Sequence, residues 1–480
     1  MALRRFSTKK MTALILAAAL TAASGCGAKD IPPAAPESTV SQPAETSETP
    51  AEPQTAAAEQ EAEAESADPQ ESSEPEEEAI EIPALRDSVE QVLGCRIGCA
   101  ITGDEANDPG VWNILTTHFN AVTLGNELKP DALVAYSTSK CPGTEVDTLN
   151  GEDIIVPKLD YSRAERILNK IVKWNEEHPD RFIQVRGHVL VWHAQTPEWF
   201  FHEDYDKKKP YVTADVMDKR LEWYIRTVLT HFTGEDSKYK GLFYGWDVVN
   251  EAISDATGKP RTDAENPNES LSEDRHGSNS SWWHVYQSDQ FIINAFKYAN
   301  KYAPADLELY YNDYNECSIQ KRNGIIALLT EIKEQEGAPG EGTRISAMGM
   351  QGHYGIDSPG STDVAASIKA YGKVVGSVQI TEWDMSASSS YDGTEETLQE
   401  EYEKQRKIYN LEYYALKAAQ NSGDANVTGI TFWGTIDPYS WLQSRSNLGG
   451  GNKTGLAQCP LLFDGNYEPK PAFWVFAATN

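Results

Sequence analysis

The amino-acid sequence predicts an α/β protein built on a (β/α)₈ TIM barrel. From about residue 80 onward, eight short apolar runs recur along the chain, and several are apolar throughout, as parallel strands buried on both faces are. Longer amphipathic segments separate these runs, which is the alternation expected of parallel strands joined by helices. No sequence repeat of about 20–50 residues is present, and this argues against a solenoid or a propeller.

The apolar runs and the segments between them define the predicted elements. The strands are Cys95–Ile101, Asn120–Leu124, Ile183–Trp192, Leu242–Asn250, Leu307–Asn312, Ile345–Gln351, Ser377–Thr381 and Val427–Trp433. The helical patterns include Ser162–Glu177, Ala214–Phe232, Val285–Tyr302, Gly324–Glu336 and Glu395–Gln420. Eight strands within about 400 residues fit one large barrel, so we assign residues 80–480 to a single (β/α)₈ barrel domain.

The first 25 residues have the pattern of a signal peptide. Four basic residues lie among the first ten, and they precede an apolar segment, Ala13–Leu20, that is too short to span a bilayer. The small residues Ala22–Gly25 lead directly into Cys26, and this arrangement resembles the lipoprotein box of bacteria. We expect Cys26 to be lipidated, to become the first mature residue and to anchor the protein at the cell surface. The alternative is a protein that is simply secreted.

Residues 26–79 form an acidic linker. The stretch from 27 to 79 contains fifteen acidic residues and one basic residue, Lys29, with almost no large apolar side chain. Such a segment buries too little surface to offset its ordering entropy, so we expect it to be disordered. The formal net charge of the whole chain is −31, which argues against nucleic acid or an anionic membrane surface as a partner. Membrane contact is therefore expected only through the lipid anchor.

The cysteine and histidine spacings do not indicate a metal site. Neither C-x-x-C nor H-E-x-x-H occurs, and we expect no metal and no other cofactor. Five cysteines remain beyond Cys26, and an odd number cannot all pair within one chain. We expect buried thiols with at most one disulfide, and a monomeric protein. The five are Cys95, Cys99, Cys141, Cys317 and Cys459.

Polar and aromatic side chains stand at the ends of seven of the eight predicted strands. The carboxyl ends of barrel strands form the face that carries function, so these side chains should converge. Folding alone does not explain seven such strand ends. The segments are Gly125–Lys129, Arg186–Gln195, Asn250–Glu251, Asn312–Asn315, Gln351–His353, Glu382–Asp384 and Phe432–Asp437.

Two of these strand ends carry a glutamate, Glu251 on the fourth strand and Glu382 on the seventh. A pair of carboxyl groups at one barrel mouth suits hydrolysis of a glycosidic bond, in which one donates a proton and the other attacks or activates water. An isolated glutamate is more often a solvated loop residue. Here both directly follow buried strands, where a charge is not expected unless it has a function.

The strand-end motifs, taken in order, also carry a family resemblance. They are R-G-H-V-L-V-W-H-A-Q, W-D-V-V-N-E, N-D-Y-N, Q-G-H, I-T-E-W-D, W-G-x-x-D-x-x-S-W and P-L-L-F-D-G-N-Y-E-P-K-P-A. Together they resemble glycoside hydrolase family 10, the retaining endo-β-1,4-xylanases built on a (β/α)₈ barrel. The resemblance extends from about residue 85 to the C-terminus. It implies hydrolysis of xylan with retention of anomeric configuration.

The resemblance implies a role for each residue that matches a family motif. Glu251 matches the acid/base, and Glu382 matches the nucleophile. His353 and Asp384 match the groups that hold and tune the nucleophile, and Asn250 matches the amide that binds the 2-hydroxyl of the sugar being cleaved. The remaining substrate-binding residues, including the aromatic lid of two tryptophans, are Asn126, Lys129, His188, Trp192, Gln195, Tyr314, Gln351, Trp433 and Trp441.

The chain departs from the family pattern in a few places. Gly125 stands where a glutamate is usual, so we expect weaker binding of the sugar two units from the cleavage point, unless a loop compensates. Trp383 replaces a smaller aliphatic residue, and the segments Ser137–Pro157 and Leu442–Cys459 are longer than usual. These differences bear on the binding of individual sugars and leave the expected reaction unchanged.

Three functions remain to be distinguished. The leading hypothesis is a surface-anchored endo-β-1,4-xylanase. The second is a β-1,4-glucan endohydrolase on the same barrel, which relative rates on xylan and carboxymethylcellulose would separate. The third is a non-catalytic polysaccharide-binding lipoprotein, and the presence of both Glu251 and Glu382 argues against it.

Overall fold

The computed structural model describes residues 82–135, 139–269, 271, 277–444 and 456–477. The predicted signal peptide, Cys26 and the acidic linker lie outside the described residues, as do residues 445–455 of the long segment Leu442–Cys459. Within the described part, no helix is both long enough and apolar enough to cross a membrane.

Eight parallel strands close into a barrel, which confirms the predicted fold. In order around the barrel these are β1, β2, β5, β7, β8, β9, β11 and β12, and β12 pairs with β1 to complete the circle. Gly98 in β1 lies opposite Thr431 on one side and Ala121 on the other. All strands, in chain order, are β1 (Arg96–Ile101), β2 (Ala121–Leu124), β3 (Thr144–Leu149), β4 (Glu152–Pro157), β5 (Gln184–Gly187), β6 (Val191–Trp192), β7 (Phe243–Asn250), β8 (Glu308–Asp313), β9 (Ala347–Met350), β10 (His353–Gly355), β11 (Ser377–Ser386) and β12 (Asn426–Phe432).

Helices flank the barrel, and several of them pack directly against its strands. Helix α2 illustrates how they begin, because Asp108 caps its first turn by accepting hydrogen bonds from Gly110 N and Val111 N, with Pro109 at the first helical position. The helices are α1 (Leu85–Leu93), α2 (Pro109–His118), α3 (Pro130–Leu133), α4 (Ser162–Glu177), α5 (Ala214–Thr233), α6 (Ser281–Tyr286), α7 (Gln290–Tyr302), α8 (Ile319–Glu334), α9 (Ser361–Val375), α10 (Glu395–Ser422) and α11 (Phe473–Ala477).

Three predicted elements differ from the structure. The strand expected over Ile183–Trp192 is split into β5 and β6, because residues 188–190 leave the sheet. The helix expected over Val285–Tyr302 is two helices, since Gln287 takes a left-handed conformation (φ 51°) that ends α6. The seventh barrel strand does not end at Thr381 but continues to Ser386, so that Glu382 lies within β11 rather than after it.

The extra length between α3 and α4 is a β-hairpin, formed by β3 and β4. Its inner face is held on α5, where Trp223 Nε1 donates to Asp147 at 2.9 Å and Arg226 forms an ion pair with the same carboxylate. The five cysteines beyond Cys26 are all free thiols; none forms a disulfide. Four of them are buried, and Cys141 is half-buried.

The barrel interior contains a fully buried ion pair between Arg186 and Asp247. The guanidinium makes two contacts to the carboxylate and lies 4.8 Å from the ring centroid of Tyr310. Asp247 also holds the imidazole of His188, whose Nδ1 is 2.8 Å from Oδ2. A charge removed from water is tolerated only when it is paired in this way. The pair therefore keeps each buried charge compensated, and Asp247 positions His188 at the strand end above it.

Removing one member of this pair should destabilise the protein strongly. In Arg186→Met the carboxylate of Asp247 stays buried without its counter-ion, and the free energy of unfolding should fall by about 3–5 kcal/mol. The control is Arg406→Met, which breaks the exposed pair with Glu403 (2.8 Å) and should cost less than about 1 kcal/mol. Urea unfolding of both variants measures the difference. Equal, small losses would show that the buried pair does not support the barrel.

Candidate active site

A cleft of about 610 Å³ opens at the carboxyl ends of the barrel strands. It brings together residues from all eight strand ends, including both predicted catalytic glutamates. Of the predicted site residues in the described part of the chain, Asp384 alone stands behind the surface of the cleft. Those that line it are Asn126, Lys129, His188, Trp192, Gln195, Asn250, Glu251, Tyr314, Gln351, His353, Glu382, Trp433 and Trp441.

Glu382 projects into the floor of the cleft from within β11, and only 4% of its surface is exposed. Both of its carboxylate oxygens are held. Asn312 Nδ2 donates to Oε1 at 2.8 Å, and His353 Nε2 lies 3.2 Å from Oε2. Glu382 therefore has a fixed orientation before any substrate binds, which is what an attacking carboxylate requires.

The surroundings of Glu382 keep it ionised. Burial alone would raise its pKa, but the hydrogen bond from His353 and the proximity of His188 lower the pKa to about 2. Burial likewise works against the charge on His353, whereas Asp384 and Glu382 raise the pKa of that imidazole to about 10. His353 is thus an imidazolium between two carboxylates. Its Nδ1 lies 3.0 Å from Asp384 Oδ1, at an angle too poor for a good hydrogen bond.

Glu251 lines the cleft and has an unusual backbone conformation. Its φ of 57° is in the left-handed region, which costs a non-glycine residue about 1–3 kcal/mol and persists only when the surroundings hold it. Its backbone N donates to Asn312 O at 2.9 Å, and its carbonyl accepts from Arg261 Nε at 3.0 Å. These contacts turn the chain at the end of β7, where Glu251 lines the same cleft as Glu382.

Neutral donors surround the Glu251 carboxyl group. Asn250 Nδ2 and Gln351 Nε2 approach Oε1 at 3.0 and 2.9 Å, and Trp192 Nε1 approaches Oε2 at 2.9 Å. Asn250 Oδ1 in turn accepts from the amides of Gln351 (3.2 Å) and Asn312 (2.8 Å). Because Asn312 also donates to Glu382, the three amides link the two carboxyl groups in one hydrogen-bonded cluster.

One wall of the cleft is polar and centred on Lys129. Its Nζ lies 3.2 Å from both Asn126 Oδ1 and Gln195 Oε1, and 5.2 Å from the ring centroid of Trp192. Lys129 is only 7% exposed, so its charge is available mainly to a molecule inside the cleft. The wall presents donors, acceptors and an aromatic face, which are the groups that bind sugar hydroxyls and sugar rings.

Two tryptophans cover the side of the cleft that holds His353 and Asp384. Trp441 Nε1 donates to Asp384 Oδ2 at 2.6 Å, and its ring centroid is 4.7 Å from that of His353. The Trp433 ring is 5.5 Å from His188 and 6.2 Å from His353. Both indoles are half-buried and line the cleft, so neither belongs to the barrel core.

At the opposite end, Tyr314 is held in place by charged neighbours. Its hydroxyl donates to Asp255 Oδ2 at 2.5 Å, and Lys321 Nζ lies 3.6 Å from the ring centroid. Arg261 Nη2 approaches the same hydroxyl at 3.4 Å, so this arginine connects Tyr314 to the backbone of Glu251.

Three residues that organise the site have no role in the sequence-based prediction. Asn312 and Asp247 lie within motifs that were noticed, N-D-Y-N and W-D-V-V-N-E, and a polar residue inside an apolar strand was the available signal. Arg261 lies in a long polar loop, where no pattern distinguishes it. Among the residues that the structure describes, no group of three or more His, Cys, Asp or Glu side chains could hold a metal ion.

Similar proteins cover the whole barrel. The chain is 32% identical over 388 residues to endo-1,4-beta-xylanase Y of Acetivibrio thermocellus, covering 80% of this chain but 31% of that protein. It is 34% identical over 301 residues to a putative endo-1,4-beta-xylanase of Caldicellulosiruptor saccharolyticus, covering 61% of this chain and 83% of that protein. The chain thus spans about a third of the length of the first curated relatives, which carry additional sequence.

Solved structures agree with this result. The family 10 structure from Paenibacillus barcinonensis is similar with a TM-score of 0.64 and 28% identity, over 83% of this chain and 97% of that one. A Clostridium thermocellum xylanase 10B structure in complex with xylohexaose also has a TM-score of 0.64, with 29% identity, over 82% and 67% of the two chains. The model of glycosyl hydrolase family 10 matches residues 84–479. The chain therefore belongs to glycoside hydrolase family 10.

Proposed function

We propose that this protein is an endo-1,4-β-xylanase that hydrolyses internal xylosidic bonds of xylan with retention of configuration. The observation that carries the proposal is the different environment of two carboxyl groups in one cleft. Glu382 is kept ionised by an imidazolium, while Glu251 is surrounded by neutral donors. Relatives that bear the name endo-1,4-beta-xylanase, and one structure in complex with xylohexaose, support xylan as the substrate.

The first chemical step forms a glycosyl–enzyme intermediate. The Glu382 carboxylate attacks the anomeric carbon as the bond to the leaving oxygen breaks, and Glu251 donates its proton to that oxygen. The leaving sugar chain departs with its hydroxyl group restored. Glu251 is then a carboxylate and Glu382 is an ester of the sugar, so charge and protons balance.

The second step reverses these roles. Glu251 takes a proton from a water molecule, whose oxygen attacks the anomeric carbon and releases Glu382 as a carboxylate. Two inversions at one carbon give net retention. Asn250 has a second amide hydrogen beyond the one that it donates to Glu251, and this hydrogen is suited to bind the 2-hydroxyl of the reacting sugar.

The closest rival is a β-1,4-glucan endohydrolase on the same barrel. Glucose differs from xylose by a hydroxymethyl group, which Lys129 and Trp433 would crowd in the glycone part of the cleft. The rate on xylan should therefore exceed the rate on carboxymethylcellulose. A preference for the glucan would favour the rival. Absence of reducing sugar from both polymers would favour a non-catalytic polysaccharide-binding protein.

We also propose that the protein is a surface lipoprotein anchored at Cys26. The support is the sequence of the first 26 residues, and the acidic linker would separate the barrel from the bilayer by roughly 40 Å. The anchor would hold the enzyme where xylan fragments are released, outside the cytoplasm.

The two glutamates should respond differently to the leaving group. Glu251→Ala should lose nearly all activity on xylan but keep much of its glycosylation rate on a dinitrophenyl xylobioside, because a good leaving group needs no proton. Glu382→Ala should be inactive on both, since no ester can form. NMR of the first product of the wild-type enzyme should show the β-anomer. An α-anomer at early times would mean inversion and a wrong assignment of Glu382.

The charge on His353 should determine the pH above which the reaction of Glu382 as the nucleophile slows. In Asp384→Asn the pKa of His353 should fall from about 10 toward or below its ordinary 6.5, because burial then dominates. The imidazolium beside Glu382 would be lost as pH rises between about 6 and 8. kcat/KM on dinitrophenyl xylobioside, which bypasses the proton of Glu251, should fall over that range in the variant and stay level in wild type. Asp424→Asn, before β12 at the other end of the barrel, is the control and should match wild type. A level profile in both variants would contradict the role of His353.

Cys26→Ala should release the protein from membranes into the medium, because the lipid would have no attachment point. The measurement is the distribution of xylanase activity between membrane pellet and culture supernatant for wild type and variant. A wild-type protein found wholly in the supernatant, with an unmodified N-terminus, would show that it is secreted without an anchor.

A further inference from the structure

One carboxylate in the cleft has no part in the mechanism described above. Glu105 lies in the loop after β1, lines the cleft and is only 8% exposed. Its Oε2 accepts from both the backbone N and the Oγ1 of Thr102, each at 2.7 Å. Its Oε1 accepts no hydrogen bond from the residues that the structure describes, and it retains contact with solvent. Thr102 therefore holds one carboxylate oxygen of Glu105, and the other oxygen can accept a hydrogen bond from a ligand.

The surroundings of Glu105 leave room for a ligand. Gly125 lines the same end of the cleft and has no side chain to fill it. A Cβ built on Gly125 would lie 3.6 Å from Thr102 Cγ2 and 3.7 Å from Ile101 O, which are ordinary contact distances. A side chain would thus fit at position 125. Because glycine has none, the space beside Thr102 stays open.

An aromatic ring stands at the rim of the same space. Tyr439 lines the cleft with 47% of its surface exposed. Its hydroxyl donates to Asp108 Oδ2 at 2.8 Å, and Asp108 is three residues after Glu105 in the same loop. The ring therefore lies beside the Glu105 loop, although Tyr439 belongs to the segment after β12.

We propose that Glu105 is a specificity-determining residue that binds hydroxyl groups of sugars two or more units from the cleavage point on the non-reducing side. Tyr439 supplies an aromatic face for the same sugars. The proposal rests on the proposed function, because it assumes a xylan chain lying along the cleft past Asn126 and Lys129. Glu105 would supply the carboxylate that Gly125 cannot.

The chemistry of the site favours a neutral sugar as the ligand. An ionised carboxylate only accepts hydrogen bonds, and a pyranose offers a row of hydroxyl donors. The C–H face of a pyranose packs well on an exposed ring such as Tyr439. An anionic branch on these sugars would be repelled by Glu105 itself and by Glu127, which lies behind the cleft surface with its carboxylate accepting from Gly103 N at 2.8 Å.

The test compares dinitrophenyl glycosides of one, two and three xylose units. Wild-type kcat/KM should rise with each added sugar that the enzyme binds. Glu105→Gln keeps an oxygen for Thr102 but loses the charge, so it should match wild type on the xyloside and lose roughly tenfold on the longer glycosides. Asp104→Asn removes a charge from the adjacent, exposed residue and should match wild type on all three substrates.

Each outcome of this experiment decides a separate question. An equal loss on all three substrates, or no loss on any, would overturn the role of Glu105. Wild-type activity on none of the xylosides would overturn the proposed function instead, because the one-sugar substrate uses Glu251 and Glu382 alone. Thermal unfolding of Glu105→Gln identifies any loss of fold.

Tyr439 is tested in the same series. Tyr439→Phe keeps the ring and should behave as wild type, whereas Tyr439→Ala should lose activity on the longer glycosides only. If the Phe variant is as impaired as the Ala variant, the hydrogen bond to Asp108 matters and the stacking role is wrong.

Discussion

The buried ion pair between Arg186 and Asp247 is the interaction on which the active site is built. It occupies the middle of the barrel, where both side chains are fully shielded from water. Asp247 extends the pair upward by holding His188, which contributes to the low pKa of Glu382. Gly349 is required at the same level, because a Cβ there would lie 2.5 Å from Asn312 Oδ1 and 3.2 Å from the Arg186 guanidinium. The floor of the cleft is thus a packed polar column, and not the usual apolar filling of a barrel.

Asn312 connects this polar column to the carboxyl groups of both Glu251 and Glu382. It accepts from Thr381 Oγ1 at 2.6 Å, donates to Asn250 and Glu382, and its backbone carbonyl accepts from Glu251 N. One amide therefore sets the relative position of the proposed acid and the proposed nucleophile. The difference between the two comes from what else reaches them. A cation, His353, contacts Glu382, whereas amides and an indole contact Glu251. Electrostatic preorganisation of this kind needs no movement at the moment of reaction.

The floor and the ends of the cleft differ in how well they tolerate amino-acid substitutions. Residues of the floor lie on strands and bind one another, so a substitution there disturbs several contacts at once. Residues at the far end, such as Glu105, Gly125 and Tyr439, lie in the segments after the strands. The hydrogen bonds of Glu105 and Tyr439 go to Thr102 and Asp108 and not to the floor. This separation explains how the chain can depart from the family at Gly125 and still keep the pair of glutamates intact. Sugar specificity can thus vary while the chemistry stays constant.

The barrel and the position of the two glutamates at strand ends can be predicted from the amino-acid sequence, because both depend on local patterns. Apolar runs, their alternation with amphipathic segments and the position of polar residues at strand ends are all visible along the chain. Parallel topology then requires that those strand ends meet. Boundaries were predicted less well: β11 runs on through Glu382, and the third predicted strand breaks after Gly187.

Only the tertiary structure decided which side chains act on one another. Arg186 and Asp247 are 61 residues apart in the chain, and Asn312 and Glu382 are 70 apart. Arg261 supports the backbone of Glu251 from a loop with no distinctive pattern. Glu105 resembles any acidic loop residue until the fold places its free oxygen in the cleft. Hydrogen-bond partners and pKa values depend on distances of a few ångströms between remote segments, and no periodicity within a segment carries that information.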